Sequence, residues 1–107
     1  MAVPEVTVDE LAARLAEGAP LIDVRQPDEY DKFHVPRAVL IPLADVPERA
    51  EEVPSSDTVY VICAVGARSA KAVEYLRKIG IDAVNVAGGS NAWAEAGHPT
   101  ATGPEPG

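Results

Sequence analysis

The hydrophobic and polar positions of this chain follow two periods in turn, one typical of helices and one typical of buried strands. Thr7 and Glu10 stand at the spacing of a capping box, and apolar residues then recur at helical intervals until Gly18, which predicts a helix between them. The same periodicity predicts further helices over residues 27–30, 45–53, 69–79 and 90–96. Short apolar runs predict strands over residues 21–24, 39–41, 58–62 and 83–86.

Two of the predicted helices carry apolar residues that we expect to face a core. In the 69–79 helix, Ala72, Leu76 and Ile79 form one stripe, and Val73 lies beside it. Trp93 of the last helix is expected to pack in the core. Strands that alternate with helices indicate an α/β fold of three layers, in which a central, mostly parallel sheet of about four to five strands is flanked by helices.

The length and composition of the chain predict one domain. With 107 residues and a hydrophobic fraction of 47%, the chain is large enough for a single core, which we expect to span residues 1–99. Residues 100–107 are rich in Thr, Gly and Pro and are predicted to be a disordered C-terminal tail.

The acidic charge of the chain limits its partners. Nine Lys and Arg against seventeen Asp and Glu give a net charge of −8. Nucleic acids and anionic membranes attract basic surfaces, so we expect neither as a partner. The N-terminus lacks the basic and apolar regions of a signal peptide, and one cysteine cannot form an internal disulfide. These features predict a cytoplasmic protein.

Cys63, the only cysteine of the chain, is the candidate nucleophile. It follows the predicted strand 58–62, and the helix that opens at Ser69 follows after a short loop, so backbone N–H groups and the helix dipole would favour a thiolate. Arg68 adds a positive charge. The alternative is that Cys63 is a small buried hydrophobe. In parallel sheets, ligands bind beyond the C-terminal ends of the strands, where Asp23 and Arg25 are also expected.

Four segments, in this order along the chain, carry a resemblance to a known family. They are residues 21–30 (LIDVRQPDEY), 34–38 (HVPRA), 63–69 (CAVGARS) and 88–93 (GGSNAW). Each is similar to a motif of the single-domain rhodaneses, which are sulfurtransferases, and together they span most of residues 7–99. The chain therefore resembles this family, and the resemblance implies a rhodanese-like fold.

The resemblance also implies a mechanism. Cys63 would accept a sulfur from a donor such as thiosulfate, become a persulfide, and pass the sulfur to cyanide or a thiol. The active loop would comprise Ala64, Val65, Gly66, Ala67 and Arg68, whose N–H groups stabilise the sulfur. Neither a cofactor nor a metal is expected.

Supporting roles are predicted for three residues near the loop. Asp23 and Arg25 are expected to form hydrogen bonds and ion pairs behind it, and Ser69 opens the following helix. For Arg68 two alternatives stay open: it holds an anionic donor, or it forms a structural ion pair, for which Asp23 is the suggested partner.

The chain departs from the family pattern at two places. Ala64 and Val65 stand where some thiosulfate-using members carry charge, so the loop has a single cation and we expect modest thiosulfate affinity. Phe33 and Arg37 stand where glycines are usual, which puts the turn geometry there in question.

Three alternative functions follow from the same residues. The first is a persulfide carrier or binding module that serves a protein acceptor. The second is a cysteine-dependent phosphatase or arsenate reductase, which the short spacing from Cys63 to Arg68 disfavours because related phosphatases have one more residue in this loop. The third is an inactive structural domain, which the presence of Cys63 disfavours.

Overall fold

A sheet of five parallel strands forms the centre of the computed structural model, which describes residues 3–107. The strands are β1 (Glu5–Val6), β2 (Leu21–Asp23), β3 (Val39–Leu40), β4 (Val59–Ile62) and β5 (Ala83–Val86), and their order in the sheet is β1-β5-β4-β2-β3. The helices are α1 (Val8–Ala16), α2 (Pro27–Lys32), α3 (Ala67–Lys78) and α4 (Gly89–Glu95). The predicted α/β fold class and the mostly parallel sheet are confirmed.

The predicted capping box at the start of α1 is confirmed. The Thr7 hydroxyl accepts the N–H of Glu10 at 3.1 Å, and the Glu10 carboxylate accepts the N–H of Thr7 at 2.8 Å. Two N–H groups that a helix start leaves unpaired are thereby satisfied, which fixes where α1 begins after β1.

Two apolar clusters cover the two faces of the sheet. On one face, Leu11 of α1, Tyr30 of α2 and Trp93 of α4 pack against Tyr60 and Ile62 of β4. The opposite face is covered by α3 and the 43–53 segment. Their buried residues pack against the alternate positions of the strands, and this cluster includes Val46 and Val53 of the segment, Val59 and Val61 of β4, and Ala72, Val73 and Leu76 of α3. The core role predicted for Trp93 is confirmed, since it is 3% exposed.

The structure corrects the sequence prediction in three elements. The helix predicted over residues 45–53 is absent, and two 3₁₀ turns, Leu43–Asp45 and Ala50–Glu52, lie in this region instead. The reason is that Pro47 has no N–H to donate and that a helix this short is marginally stable without tertiary packing. Ile79 lies at the end of α3 and is 48% exposed, because the backbone leaves the helical path there. The two-residue strand β1, which pairs with β5, is too short to show a period in the sequence.

The C-terminal segment follows a defined path rather than the predicted disorder. Ala101 pairs with His34 through two backbone hydrogen bonds of 2.9 and 2.8 Å, and the carbonyl of Pro106 accepts the N–H of Arg37 at 2.9 Å. The buried His34 ring lies between the carbonyls of Tyr30 and Pro106. Within residues 3–107, no helix is long and apolar enough to cross a membrane.

Candidate active site

Cys63 lies at the point where the sheet changes its direction of winding. From β2 the chain runs through α2 outward to β3, whereas from β4 it runs through α3 to β5 on the other side. Such a switch leaves a crevice between the C-terminal ends of the two central strands. Cys63 directly follows β4, and Val24 after β2 donates its N–H to the Ile62 carbonyl at 3.0 Å, so the predicted site residues meet at this edge.

The loop after Cys63 curls its backbone toward the sulfur. Gly66 takes a left-handed conformation with φ +109°, which favours glycine, and its N–H donates to Cys63 Sγ at 3.0 Å. The Ser69 hydroxyl lies 3.3 Å from the same sulfur. Cys63 itself is 1% exposed. The sulfur therefore sits inside a cradle of hydrogen-bond donors.

Helix α4 fixes the outer side of this loop. The N–H of Ser90 donates to the Cys63 carbonyl at 2.8 Å, and the N–H of Asn91 donates to the Ala64 carbonyl at 3.1 Å. Gly89 permits the close approach, because a Cβ at that position would stand 2.4 Å from both carbonyl oxygens. Because these carbonyls point outward to α4, the N–H groups of the loop can point inward to the sulfur.

These contacts favour the ionised form of Cys63. Burial raises the pKa of the thiol, but the hydroxyl and N–H of Ser69 lower it. The N–H groups of Gly66 and Val65 act in the same direction, and the pKa of Cys63 is held below its usual value. A lowered pKa increases the fraction of nucleophilic thiolate near neutral pH.

The ion pair with Asp23, suggested under one of the two alternatives for Arg68, is not formed. Arg68 instead makes a two-pronged ion pair with Glu29 of α2, at 2.7 and 2.9 Å, and this guanidinium lowers the pKa of Glu29 to about 2. Asp23 is paired with Arg25 instead. The single cation of the loop is therefore already neutralised in this structure.

Asp23 and Arg25 form a buried pair that supports α2. Arg25 Nη2 lies 2.8 Å from Asp23 Oδ2, and Nε lies 3.0 Å from Oδ1. Arg25 also donates to the carbonyl of Phe33 at 2.8 Å, just beyond α2. Asp23 is in register with Ile62, directly before Cys63, and Arg25 connects β2 to the helix that carries Glu29.

One polar residue of the site escaped the sequence analysis. Asn85 of β5 is 1% exposed, and it accepts a hydrogen bond from Ser69 while donating to the Gly66 carbonyl. The signal was present as an Asn within the apolar run of residues 83–86. A strand period of two places Asn85 on the same face as Ala83, toward α3.

The two departures from the family pattern have different structural consequences. Val65 at the loop tip is 63% exposed, which leaves an apolar side chain beside Cys63. Arg37 adopts a left-handed φ of +74°, whereas Phe33 is extended at φ −169°, which any residue adopts. The unusual turn is therefore strained at Arg37 only.

The parallel sheet and the loop that encloses Cys63 define an α/β domain with a buried cysteine at the switch point of its sheet. A family model described as the rhodanese-like domain matches residues 7–96, and the chain belongs to this family. A crystal structure of a rhodanese-related protein from Thermoplasma volcanium superposes with a TM-score of 0.87 at 31% identity, covering 92% of this chain and 97% of that one.

Two curated relatives are named for the handling of sulfur. The chain is 38% identical over 100 residues to a protein of Allochromatium vinosum named Sulfurtransferase, with 91% of this chain and 94% of the relative covered. It is 36% identical over 94 residues to YrkF of Bacillus subtilis, whose name describes a sulfur carrier protein. That match covers 85% of this chain but 51% of YrkF, so the chain spans about half the length of that relative.

Proposed function

We propose that the chain is a sulfurtransferase of the rhodanese type and that Cys63 carries the transferred sulfur as a persulfide. The observation that carries the proposal is the cradle: Gly66 N–H at 3.0 Å and Ser69 Oγ at 3.3 Å from the only sulfur nucleophile of the chain. The sulfurtransferase and sulfur carrier names of its relatives support the same chemistry.

The first half-reaction loads the cysteine. The Cys63 thiolate attacks the outer sulfur of thiosulfate, a new S–S bond forms, and the S–S bond of the donor breaks as sulfite leaves with the electron pair. The charge stays on sulfur throughout, now on the outer atom of the persulfide. Backbone N–H groups around the loop stabilise this anion as they stabilise the thiolate, without any change of protonation.

The second half-reaction unloads it. Cyanide or a thiolate attacks the outer sulfur, and Cys63 leaves as the thiolate that began the cycle, so cyanide yields thiocyanate. A nucleophile with a lowered pKa is also a good leaving group. The same contacts that activate Cys63 in the first step therefore assist its release in the second.

Intact-protein mass spectrometry tests this function. The protein is incubated with thiosulfate, and the wild type is expected to gain the mass of one sulfur atom, which cyanide then removes. Cys63→Ser is the matched control and should gain nothing. A wild type that stays unmodified with thiosulfate and with other sulfane donors would contradict the proposal, and hydrolysis of an aryl phosphate by the same preparation would favour the phosphatase alternative.

A second candidate is a carrier whose acceptor is a protein. The exposed Val65 at the loop tip favours it, because an apolar side chain beside the nucleophile suits a protein surface better than a small anion. The experiment compares discharge of the loaded persulfide to a small thiol with discharge to a candidate protein acceptor. Faster discharge to the protein would support the carrier role.

A further inference from the structure

Asn85 connects the loop, the helix α3 and the edge of the sheet through its side-chain amide. Its Oδ1 lies 2.5 Å from Ser69 Oγ, and its Nδ2 lies 3.2 Å from the Gly66 carbonyl and 3.0 Å from Glu5 Oε2. A chain of hydrogen bonds thus runs from Cys63 through Ser69 to Asn85.

The partners of this amide fix its orientation. The Gly66 carbonyl and the Glu5 carboxylate only accept hydrogen bonds, so both require the NH₂ group of Asn85. The amide oxygen must then face Ser69, and since that oxygen only accepts, Ser69 is the donor. The rotamer with the two amide atoms exchanged would place oxygen against oxygen at both contacts.

The Ser69 hydroxyl has one proton and two neighbours that can use it. While the proton points to Asn85, the oxygen of Ser69 presents a lone pair to Cys63, which suits the S–H of a thiol. A thiolate needs the opposite arrangement, with the hydroxyl proton directed at the sulfur 3.3 Å away. Ionisation of Cys63 therefore competes with Asn85 for a single proton.

We propose that Asn85 is a positioning residue for Cys63: its amide oxygen holds the Ser69 proton while Cys63 is a thiol, and the proton turns to the sulfur when Cys63 ionises. The inference rests on the proposed role of Cys63 as the nucleophile. Rotation about the Cβ–Oγ bond of Ser69 is the only movement required, and the proton of the thiol leaves to solvent. Formation of the thiolate then costs one buried hydrogen bond to Asn85.

Three sets of charged groups lie around Ser69 and Asn85. Arg68 and Glu29 pair at the loop, Asp23 and Arg25 pair behind it, and Glu5 lies beyond Asn85. The first two pairs keep their partners in every variant, whereas Glu5 loses its hydrogen bond from Asn85 in the Asn85 variants. An effect of Glu5 on the local field would be the same with and without Ser69, so the comparison of the two backgrounds separates it from an effect that acts through Ser69.

The experiment is a double-mutant cycle read by the pH titration of Cys63. The ultraviolet absorbance of the thiolate measures ionisation directly, the single cysteine makes the signal unique, and Cys63→Ser supplies the blank. In Asn85→Leu, the freed Ser69 proton should lower the titration midpoint by about half to one pH unit, the equivalent of one neutral hydrogen bond. In the Ser69→Ala background, Asn85→Leu should leave the midpoint where Ser69→Ala alone puts it.

Asn85→Ala serves as a second truncation with the same expected direction. An equal shift with and without Ser69 would overturn the proposal and assign Asn85 to the Gly66 carbonyl instead. An unchanged or raised midpoint in Asn85→Leu and Asn85→Ala, with Ser69 present, would also overturn it. This titration requires no sulfur transfer, so it is independent of the persulfide test.

A nuclear magnetic resonance measurement covers the case in which the Asn85 variants do not fold. The side-chain amide signals of Asn85 in the unaltered protein should move with the ionisation of Cys63. In Ser69→Ala this movement should be lost. Movement of equal size in Ser69→Ala would contradict the proposal.

Discussion

The ion pair between Glu29 and Arg68 controls how much positive charge the active loop offers to an anionic donor. Both oxygens of Glu29 contact the guanidinium, at 2.7 and 2.9 Å, so Arg68 faces a carboxylate instead of a substrate. Glu29→Gln keeps the size of the side chain and removes its charge. We expect this substitution to lower the KM for thiosulfate, because the released guanidinium can hold a dianion.

The size of the effect follows from the exposure of the pair. A hydrogen bond to a charged group contributes about 1.5–3 kcal/mol when well shielded. The side chains of Arg68 and Glu29 are 36% and 31% exposed, so solvent screening reduces the gain. After this screening, the released guanidinium should contribute about 1 kcal/mol to the binding of thiosulfate, which corresponds to a KM about fivefold lower.

The same pair gives a signature in the stability of the protein against acid. Arg68 lowers the pKa of Glu29 from 4.5 to about 2, so the folded state holds the charged form more strongly than the unfolded state does. The stabilisation from the pair is therefore complete above pH 4.5 and lost as the pH falls toward 2. Glu29→Gln should lack this decline over the same range.

The assay is steady-state thiosulfate:cyanide turnover at constant ionic strength. Glu52→Gln is the matched control, because Glu52 forms a comparable two-pronged pair with Arg49 at 2.9 Å and lines a surface with Leu21 and Pro54 near the opposite ends of the strands. It removes the same charge and should leave KM unchanged. A folded Glu29→Gln protein with an unchanged or higher KM would refute the reasoning, because it would show that Arg68 contributes only as a structural anchor.

Two further substitutions test the loop and the strained turn. Gly89→Ala should destabilise the fold by about 1–3 kcal/mol in urea unfolding and reduce sulfur transfer, because its Cβ would stand 2.4 Å from two loop carbonyl oxygens. Gly80→Ala is the control, since Gly80 also has a positive φ but a Cβ there would meet nothing within 4 Å. The difference between the two variants separates the clash from backbone strain. Arg37→Gly should stabilise the fold by about 0.5–1 kcal/mol, because glycine relieves a φ of +74° at some cost in chain entropy; an unchanged urea midpoint would show that the turn carries no strain.

The sequence was sufficient for the features that depend on local patterns. The capping box of Thr7 and Glu10 is a contact between near neighbours in the chain, and the strand before Cys63 is a run of apolar residues long enough to recognise. The edge where Cys63 meets Asp23 also followed from a general rule, because all parallel strands end on the same side of a sheet.

The sequence was insufficient where a choice depends on distant residues. Asp23 was the acidic partner suggested for Arg68, and only the fold shows that Arg25 already pairs with Asp23 and that Glu29 of α2 lies within reach of Arg68. Likewise, β1 forms because β5 offers an open edge, and the C-terminal segment is held by the backbone of His34. No local pattern encodes any of these pairings.

The most instructive case is the sulfur cradle itself, since its donors depend on residues that never touch the sulfur. Inward N–H groups require outward carbonyls, and the carbonyls of Cys63 and Ala64 are taken up by the first N–H groups of α4. That contact exists only because Gly89 has no side chain. A glycine 26 positions beyond the nucleophile thus helps to fix the path of the loop whose Gly66 N–H bonds the sulfur. We therefore expect substitutions that displace the first turn of α4 to change the pKa of Cys63 more than they change the binding of either substrate.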